Sequence, residues 1–235
     1  MAKFAAEVGR ELGVDPDEFL AAVVDQKAAR SEEKVAADRD FTGSGSLAEM
    51  DRLEFWGTQV GARFDEATRA RLTSMAKDLS ARYGRAKSTK QPRAGIRTAL
   101  EAAVGCGMRV VVVSNTVSGR VVRETIASHG LDDLITAYVC SDEYRVRKPD
   151  PSLATAALTI AGADPRLSWF LGDKPRNDAW GAQLAGIARR VVVRGGSTTT
   201  ETIDTWDGDA ITDVIDDPGD LANLINTPTK VKERS

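Results

Sequence analysis

Residues 108–116 read MRVVVVSNT, in which four successive valines lead into a serine, an asparagine and a threonine. Similar short apolar or β-branched runs occur at 134–140, 168–171, 188–193 and 211–215. Segments with helical patterns separate these runs, and most of the segments end at a glycine. Short β-branched runs alternating with helices are typical of βα units and of a parallel sheet buried on both faces. The sequence therefore predicts an α/β fold over residues 91–226, with a parallel sheet between flanking helices.

Residues 1–90 show helical spacing of their apolar residues and predict an all-helical subdomain. A helix is predicted to begin at Pro16, because an aspartate that can cap the helix precedes a proline at its first position. A capping box of Ser46 and Glu49 predicts the start of the next helix, and a further helix is predicted after Asp65. The residues expected to face inward are Phe4, Val8, Leu12, Phe19, Leu20, Val23, Val24, Met50, Leu53, Phe55 or Trp56, Leu72, Met75, Leu79 and Tyr83.

Two segments in the second half of the chain interrupt the alternation of strands and helices. Residues 195–212 are rich in threonine, aspartate and glycine, and they predict an irregular hairpin. Residues 227–235 combine several charged residues with no apolar pattern, and they predict a flexible tail after the α/β region.

The overall composition suits a globular chain and argues against two classes of partner. Of the 235 residues, 42% are hydrophobic and 29% are charged, and the net charge is −3 at pH 7. Nucleic acids and anionic membranes bind clustered basic surfaces, and no apolar run approaches the roughly 18 residues that span a bilayer. Two cysteines, without a signal-peptide core, predict a cytoplasmic protein without disulfides. The sequence leaves the oligomeric state open.

Polar residues follow three of the predicted strands, at the edge where parallel sheets bind ligands. They are Ser114, Asn115 and Thr116 after the first strand, Lys148 after the second, and Asp173 and Asp178 after the third. Hydroxyl and N–H donors at a helix start bind phosphoryl oxygens, and a lysine neutralises phosphoryl charge. Aspartates supply the hard oxygen ligands that Mg²⁺ prefers. The pattern therefore predicts a site for a phosphate beside a magnesium ion.

Each of these motifs also has a simpler explanation. Polar residues after a strand are often helix caps, a Lys-Pro-Asp-Pro sequence is often only a turn, and two aspartates can belong to a solvated loop. Lys174 and Arg176 are expected to face solvent or to limit charge repulsion between the aspartates. His129, the single histidine, is expected to contact carbonyls at a helix end rather than to act in catalysis. The occurrence of all three motifs in order, each after its own strand, favours the ligand site.

These motifs resemble those of the haloacid dehalogenase-like (HAD) superfamily, in the branch that carries a helical cap. VVVVSNT is similar to the family's second motif, RKPDP to its third, and GDKPRND followed by GAQLAG to its fourth. The resemblance covers residues 91–225 and implies a Rossmann-like parallel sheet. It also implies that residues 1–90 form the cap that closes over the substrate.

The resemblance assigns roles to the residues at the strand ends. It implies catalytic roles for Ser114 and Lys148, and an Mg²⁺ site at Asp173 and Asp178. Phosphate binding would involve Ser114, Asn115, Thr116 and Lys148. Acidic residues in the fourth motif favour phosphatases over metal-free dehalogenases, and cap residues 40–56 are expected to select the leaving group.

One motif of the family has no clear counterpart in this chain. The family's nucleophile is the first aspartate of a DxDxT motif, at the end of a strand that precedes the cap. Asp38, Asp40 and Thr42 have the letters of this motif, but the residues before them read as a helix surface. Asp216 and Asp217 follow a short apolar run, yet they more simply match the family's last strand and helix. No nucleophile is therefore identified.

Three explanations of this gap remain open at the level of sequence. The recorded start can lie downstream of the true one, the protein can have lost catalysis, or a separate chain can provide the strand. The leading prediction is a phosphatase-like hydrolase of a small phosphorylated metabolite, Mg²⁺-dependent in its complete form. The alternatives are a catalytically inactive relative that binds a phosphorylated ligand or a partner and, less favoured, a dehalogenase.

Overall fold

A computed structural model describes residues 1–87 and 91–226, which contain eleven α-helices and five β-strands. The tail predicted at 227–235 lies outside the described residues. None of the described helices combines the length and the apolar character needed to cross a lipid bilayer.

Helices account for most of the first 87 residues. They are α1 (Ala2–Leu12), α2 (Pro16–Asp40), a π-helical segment (Glu54–Gln59), a 3₁₀ turn (Val60–Arg63), α3 (Glu66–Ser74) and α4 (Ala76–Lys87). The side chain of Asp15 accepts hydrogen bonds from the backbone N–H groups of Asp17 and Glu18, which confirms the predicted start of α2. Asp65 caps α3 in the same way, by accepting a hydrogen bond from the Thr68 N–H at 2.8 Å.

One apolar cluster joins these helices. Its fully buried members include Phe4, Val8, Phe19, Val23, Phe55, Trp56, Leu72 and Leu79. The indole of Trp56 stacks on Phe19 with 6.3 Å between the ring centroids, and its N–H donates a hydrogen bond to Ser80 Oγ at 2.9 Å. Most of the predicted inward-facing residues are confirmed, but Val24 is 53% exposed and Leu53 is 49% exposed. Val24 follows the buried Val23 by one residue, and that step rotates a side chain by about 100° around a helix.

The helix predicted after Ser46 begins later than the capping box indicates. Glu49 lies in an irregular segment, and its carboxylate accepts a hydrogen bond from Ser141, far along the chain. Asp51 has the capping role instead, because its Oδ1 accepts hydrogen bonds from the backbone N–H groups two and three residues later, at 2.7 and 3.3 Å. The capping-box prediction is therefore wrong, since a tertiary contact takes the carboxylate that would have closed the box.

Strands and helices alternate in the rest of the described chain. The elements are α5 (Ile96–Gly105), β1 (Val111–Ser114), α6 (Gly119–Ser128), β2 (Ala137–Cys140), α7 (Ser141–Tyr144), α8 (Ser152–Ala161), β3 (Trp169–Gly172), a π-helical segment (Pro175–Trp180), α9 (Gly181–Leu184), β4 (Arg189–Val193), α10 (Thr200–Asp204), β5 (Asp213–Ile215) and α11 (Leu221–Asn226). Short 3₁₀ turns lie at Asp132–Leu134, Pro165–Leu167 and Pro218–Asp220. All five predicted strands are present. The hairpin predicted at 195–212 is wrong, because Thr199 caps the short helix α10 there.

The five strands form two parallel sheets, which confirms the predicted α/β class. β1 pairs with β2, with Val111 opposite Ala137, and β4 lies between β3 and β5. Each of β1 and β3 has a second edge that pairs with no strand of the described chain. A parallel sheet normally has its inner strands paired on both edges, so these two edges mark a gap between the sheets.

Helices cover both faces of the three-stranded sheet. Val191 of β4 packs with Ala99 of α5 and Leu221 of α11, whereas the next residue, Val192, packs with Ile203 of α10. Alternate residues of a strand point to opposite faces, so the valine run of β4 is buried on both sides. This sheet holds the end of β3 in a rigid position.

Candidate functional site

Lys148 connects the end of β1 with the segment that follows β3. Its Nζ donates hydrogen bonds to the Val113 carbonyl at 2.9 Å and to Asp178 Oδ1 at 2.6 Å. The side chains of Lys148 and Asp178 are only 13% and 6% exposed, so their ion pair is largely shielded from water. The Lys148 ammonium also lies 5.5 Å from the centroid of the Phe170 ring on β3. These contacts bridge the gap between the two sheets.

Backbone donors after β3 hold the Asp178 carboxylate from its other side. Asp178 Oδ2 accepts hydrogen bonds from the N–H of Asp173 at 3.1 Å and of Lys174 at 3.0 Å. A Cβ atom at Gly172 would lie 2.3 Å from this oxygen, so the carboxylate needs a glycine at the end of β3. The residues at the strand end therefore form a pocket fitted to one carboxylate.

Asp173 points toward a different part of the chain. Its Oδ2 accepts hydrogen bonds from both the backbone N–H and the hydroxyl of Ser197, each at 2.6 Å. Burial by itself raises the pKa of Asp173, but the hydrogen bonds from Ser197 outweigh this and lower the pKa below its ordinary value. Asp173 is therefore a carboxylate at neutral pH, with Oδ2 engaged by Ser197.

Asn115 positions the segment that carries Lys148. Its Oδ1 accepts a hydrogen bond from the Lys148 N–H at 2.8 Å, and its Nδ2 donates to the Lys148 carbonyl at 3.0 Å. Both polar atoms of the amide are thus used between two strand ends. Asn115 was predicted to bind phosphate, but its side chain instead holds the backbone of Lys148.

Thr116 belongs to a polar chain that the sequence analysis missed. Its N–H donates a hydrogen bond to Ser141 Oγ at 2.9 Å, and the Ser141 hydroxyl lies 2.6 Å from Glu49 Oε2, to which it donates. The Thr116 hydroxyl bonds within its own turn, to Ser118. Ser141 directly follows β2, so the rule that ligands gather at strand ends would have identified it. Glu49 had no such signal, because a capping box explained it locally.

Ser114 ends β1 and lines a cavity of about 1240 Å³. Residues of α2, α4, β1 and α6 line this cavity. Among the described residues, none forms a hydrogen bond with the Ser114 hydroxyl. Asn115 and Thr116 line the same cavity, as does Arg147. Ser114, Asn115 and Thr116 therefore face a space large enough for a small organic ligand, whereas Lys148, Asp173 and Asp178 do not line it.

Two arginines attach the end of α2 to the strand ends. Arg147 is 3% exposed, forms an ion pair with Asp38 and donates a hydrogen bond to the Lys34 carbonyl at 3.5 Å. Arg176 donates to the Phe41 carbonyl at 2.8 Å, and its guanidinium lies 4.6 Å from the centroid of the Trp180 ring. The prediction that Arg176 faces solvent is therefore wrong, because the first helical region supplies acceptors for it. Lys174 is exposed, as predicted.

The aspartates considered as nucleophiles have other partners. Asp38 and Asp40 belong to α2, where Asp38 pairs with Arg147 and the exposed Asp40 pairs with its neighbour Arg39. Asp217 caps the turn before α11, and Asp216 pairs with Arg194 at 3.0 Å. None of the four contacts Lys148 or Asp178. His129 follows the last residue of α6, as predicted for a helix end.

Among the residues that the structure describes, no group of three or more His, Cys, Asp or Glu side chains is placed to hold a metal ion. Asp173 and Asp178 provide two carboxylates, which matches the one or two that Mg²⁺ usually takes from a protein. The Lys148 ammonium and two backbone N–H groups engage both oxygens of Asp178, whereas Ser197 engages only one oxygen of Asp173. Carboxylate oxygen is the donor type that Mg²⁺ prefers, but in this arrangement both oxygens of Asp178 and one oxygen of Asp173 are already engaged by other donors.

Comparisons with known proteins identify relatives of this chain. The sequence model of the family described as haloacid dehalogenase-like hydrolase matches residues 35–192. A phosphoserine phosphatase of Thermus thermophilus is 34% identical over 89 residues, which are 38% of this chain and 35% of that protein. The match thus spans about a third of the relative's length.

Two solved structures resemble the fold of the whole chain. A 2-haloacid dehalogenase from Pseudomonas syringae superposes with a TM-score of 0.63 at 18% identity, covering 95% of this chain and 86% of that one. A HAD phosphatase from Thermococcus onnurineus superposes with a TM-score of 0.55 at 17% identity, covering 96% and 87%. At such identities the two structures show a shared fold and nothing about the reaction.

Proposed function

Because this chain belongs to the haloacid dehalogenase-like hydrolase family, we propose that its site is that of a phosphatase-like hydrolase of a small phosphorylated metabolite, with turnover only in a complete form that also supplies a carboxylate nucleophile. One observation carries the proposal. The ammonium of Lys148 lies between the Val113 carbonyl, at the end of β1, and the Asp178 carboxylate after β3. Ser114, the next residue after Val113, lines the cavity. A hydroxyl and an ammonium at one sheet edge suit a phosphoryl group.

In this proposal Ser114 and Lys148 contact the phosphoryl oxygens. The Ser114 hydroxyl donates a hydrogen bond to one oxygen, and Lys148 neutralises charge that grows on the phosphoryl group during transfer. Asn115 and Thr116 do not contact the ligand in this proposal. Asn115 holds the backbone of Lys148 in place, and the Thr116 N–H bonds to Ser141. Asp178 keeps the Lys148 ammonium oriented toward the end of β1.

We propose further that Asp173 and Asp178 hold Mg²⁺ in the complete form of the site. The ion would supply positive charge to the phosphoryl oxygens. The protein's own part at Asp173 is to keep the carboxylate ionised, because hydrogen bonds from Ser197 lower its pKa. Helices α1–α4 would form the cap, and residues 46–50 lie in the cavity lining where a cap would contact the leaving group.

A second candidate function is ligand binding without catalysis. The described part of the chain brings no further carboxylate to Lys148, and β1 and β3 have unpaired edges where a strand carrying a nucleophile would fit. A carboxylate nucleophile is what an aspartyl-phosphate intermediate requires. The same pocket would then hold a phosphorylated ligand without turnover.

Two assays on the full chain test the site and separate the two functions. By calorimetry, orthophosphate is expected to bind, and Ser114→Ala is expected to weaken this binding by about tenfold, as the loss of one charge-assisted hydrogen bond does. Ser128→Ala is the matched control, because Ser128 lies exposed at the end of α6. Equal phosphate binding by both variants would refute the proposed role of Ser114.

The second assay measures hydrolysis of para-nitrophenyl phosphate with and without Mg²⁺. We expect the chain to show no Mg²⁺-dependent hydrolysis, because none of the described carboxylates is placed as the nucleophile. Phosphate binding without turnover supports the binding function. Turnover that Asp173→Asn abolishes would establish the hydrolase and show that the chain contains a nucleophile not identified here.

A further inference from the structure

The cavity at the end of β1 is positively charged, although the whole chain carries a net charge of −3. Five cationic side chains and two carboxylates line it. The cations are Lys27, Arg30, Lys34, Lys87 and Arg147, and the carboxylates are Glu33 and Glu49. Charge of one sign in a cleft attracts ligands of the opposite sign.

Most of these cations come from one face of α2. Lys27, Arg30 and Lys34 are three and four residues apart, and this spacing places them side by side on a helix. Arg30 forms an ion pair with Glu33 at 3.0 Å, whereas Lys27 and Lys34 form no ion pair with any of the described residues. Two ammonium groups on this face are thus available to a ligand.

The aromatic cluster of the helical region positions Lys27. Its Nζ lies 5.7 Å from the ring centroid of Phe55 and 5.7 Å from that of Tyr83. Such contacts attract an ammonium to the ring faces. Lys27 is partly buried and Tyr83 also lines the cavity, so the charge is held at the cavity wall rather than extended into solvent.

Burial and neighbouring cations both disfavour the charged forms of Lys27 and Lys34. Desolvation lowers the pKa of Lys27 and of Lys34, and nearby cations lower both further, chiefly Lys87 for Lys27 and Arg147 for Lys34. Glu49 opposes this effect on both lysines, but its two oxygens already accept hydrogen bonds from Ser141 and from the backbone N–H of Met50. An anion bound near Lys27 and Lys34 would offset the charge of the cations around each of them.

We propose that Lys27 and Lys34 bind a second anionic group of the ligand whose phosphoryl group lies at Ser114. The inference rests on the proposed function and narrows its substrate class to phosphorylated compounds that also carry a carboxylate or a second phosphate. A neutral leaving group would leave the charge of α2 uncompensated. The anion at the lysines is recognised by helix α2, separately from the phosphoryl group at β1.

The test compares ligands that differ in the second anion, using calorimetry on the full chain. For a carboxylate the pair is 3-phosphoglycerate and glycerol 3-phosphate, and for a second phosphate the pair is fructose 1,6-bisphosphate and fructose 6-phosphate. In at least one pair, the compound with two anionic groups is expected to bind about tenfold more tightly than the compound with one, as one added charge-assisted interaction allows. The pair with the larger difference identifies the anion.

Variants of α2 test whether its lysines cause the tighter binding of compounds with a second anionic group. Lys27→Gln combined with Lys34→Gln is expected to reduce the tenfold preference to less than about threefold, because it weakens binding of the compound with two anionic groups more than binding of the compound with one. Lys3→Gln, at an exposed position on α1, is the control and is expected to keep the preference. Thermal unfolding of each variant checks that it is folded, and Lys34→Gln alone serves if the double variant is not.

Three results would overturn the inference. Equal binding within both pairs overturns it while leaving the proposed function intact, because the phosphoryl group is still bound. A preference that survives the double variant overturns the role of Lys27 and Lys34. Failure of all four compounds and of orthophosphate to bind overturns the proposed function, and the inference with it.

Discussion

Trp56 in the helical region is buried and Lys148 at the strand ends is half-buried, and different forces hold them. Phe4, Phe19 and Tyr83 are among the aromatic neighbours of Trp56, with ring centroids about 6 Å away, and apolar contact dominates there. Lys148 contacts a carbonyl and the carboxylate of Asp178, across a gap that no described strand fills. An apolar cluster loses stability in proportion to the atoms removed, whereas a buried polar pair fails when either partner is lost.

The largest effect is expected in the apolar cluster. Trp56→Ala should lower the free energy of unfolding by about 3–5 kcal/mol, because it removes a large buried ring and leaves a cavity. Urea denaturation followed by circular dichroism measures this loss. Leu167→Ala is the control, since Leu167 is 80% exposed and its removal should change stability by less than about 0.5 kcal/mol. A loss below about 1 kcal/mol for Trp56→Ala would mean that the cluster does not stabilise the helical region.

A smaller loss of stability is expected at the strand ends, and its size depends on whether the charge of Asp178 remains after Lys148 is replaced. Lys148→Met should cost about 3 kcal/mol, because it leaves the 6% exposed carboxylate of Asp178 without its cation. Adding Asp178→Asn removes the unpaired charge and should restore part of the stability. The double-mutant cycle is measured by urea denaturation. A double variant no more stable than Lys148→Met would contradict the ion-pair account.

The smallest effect is expected where α4 meets α6 at the surface. Hydrogen bonds from Arg85, together with Arg120, lower the pKa of Glu124 from 4.5 to about 2. The folded-state pKa is depressed, so the ionised carboxylate stabilises the fold above pH 4.5, and this contribution disappears as the pH falls toward 2. Because the side chain is 40% exposed, solvent screening should limit the cost of Glu124→Gln to less than about 1 kcal/mol.

Stability measured at pH 7 and at pH 2 tests this prediction. The difference between the wild-type chain and Glu124→Gln should be present at pH 7, shrink at high salt and vanish at pH 2. Glu101→Gln is the control, because its partner Arg97 lies on the same helix, α5, and the pair joins no two regions. A difference that persists at pH 2 would show that the contact acts through packing rather than through charge.

The strands and most helices were predictable because their signals are local. The valine run of β1, the aspartate before α2 and the glycine after α8 act within a few residues of themselves. The failures were local signals that a distant residue overrode. Glu49 suggested a capping box but accepts a hydrogen bond from Ser141, and Arg176 suggested a solvated turn but donates to Phe41.

The sequence by itself determined the α/β alternation, the helical first region and the order of three polar motifs at strand ends, because periodicity and capping depend on neighbouring residues. Only the tertiary structure decided what those motifs touch. It paired Lys148 with Asp178, used Asn115 to hold a backbone segment, and placed the lysines of α2 on the same cavity as Ser114. Contacts between residues thirty or more positions apart depend on how the sheets and helices pack, and no local pattern contains that information.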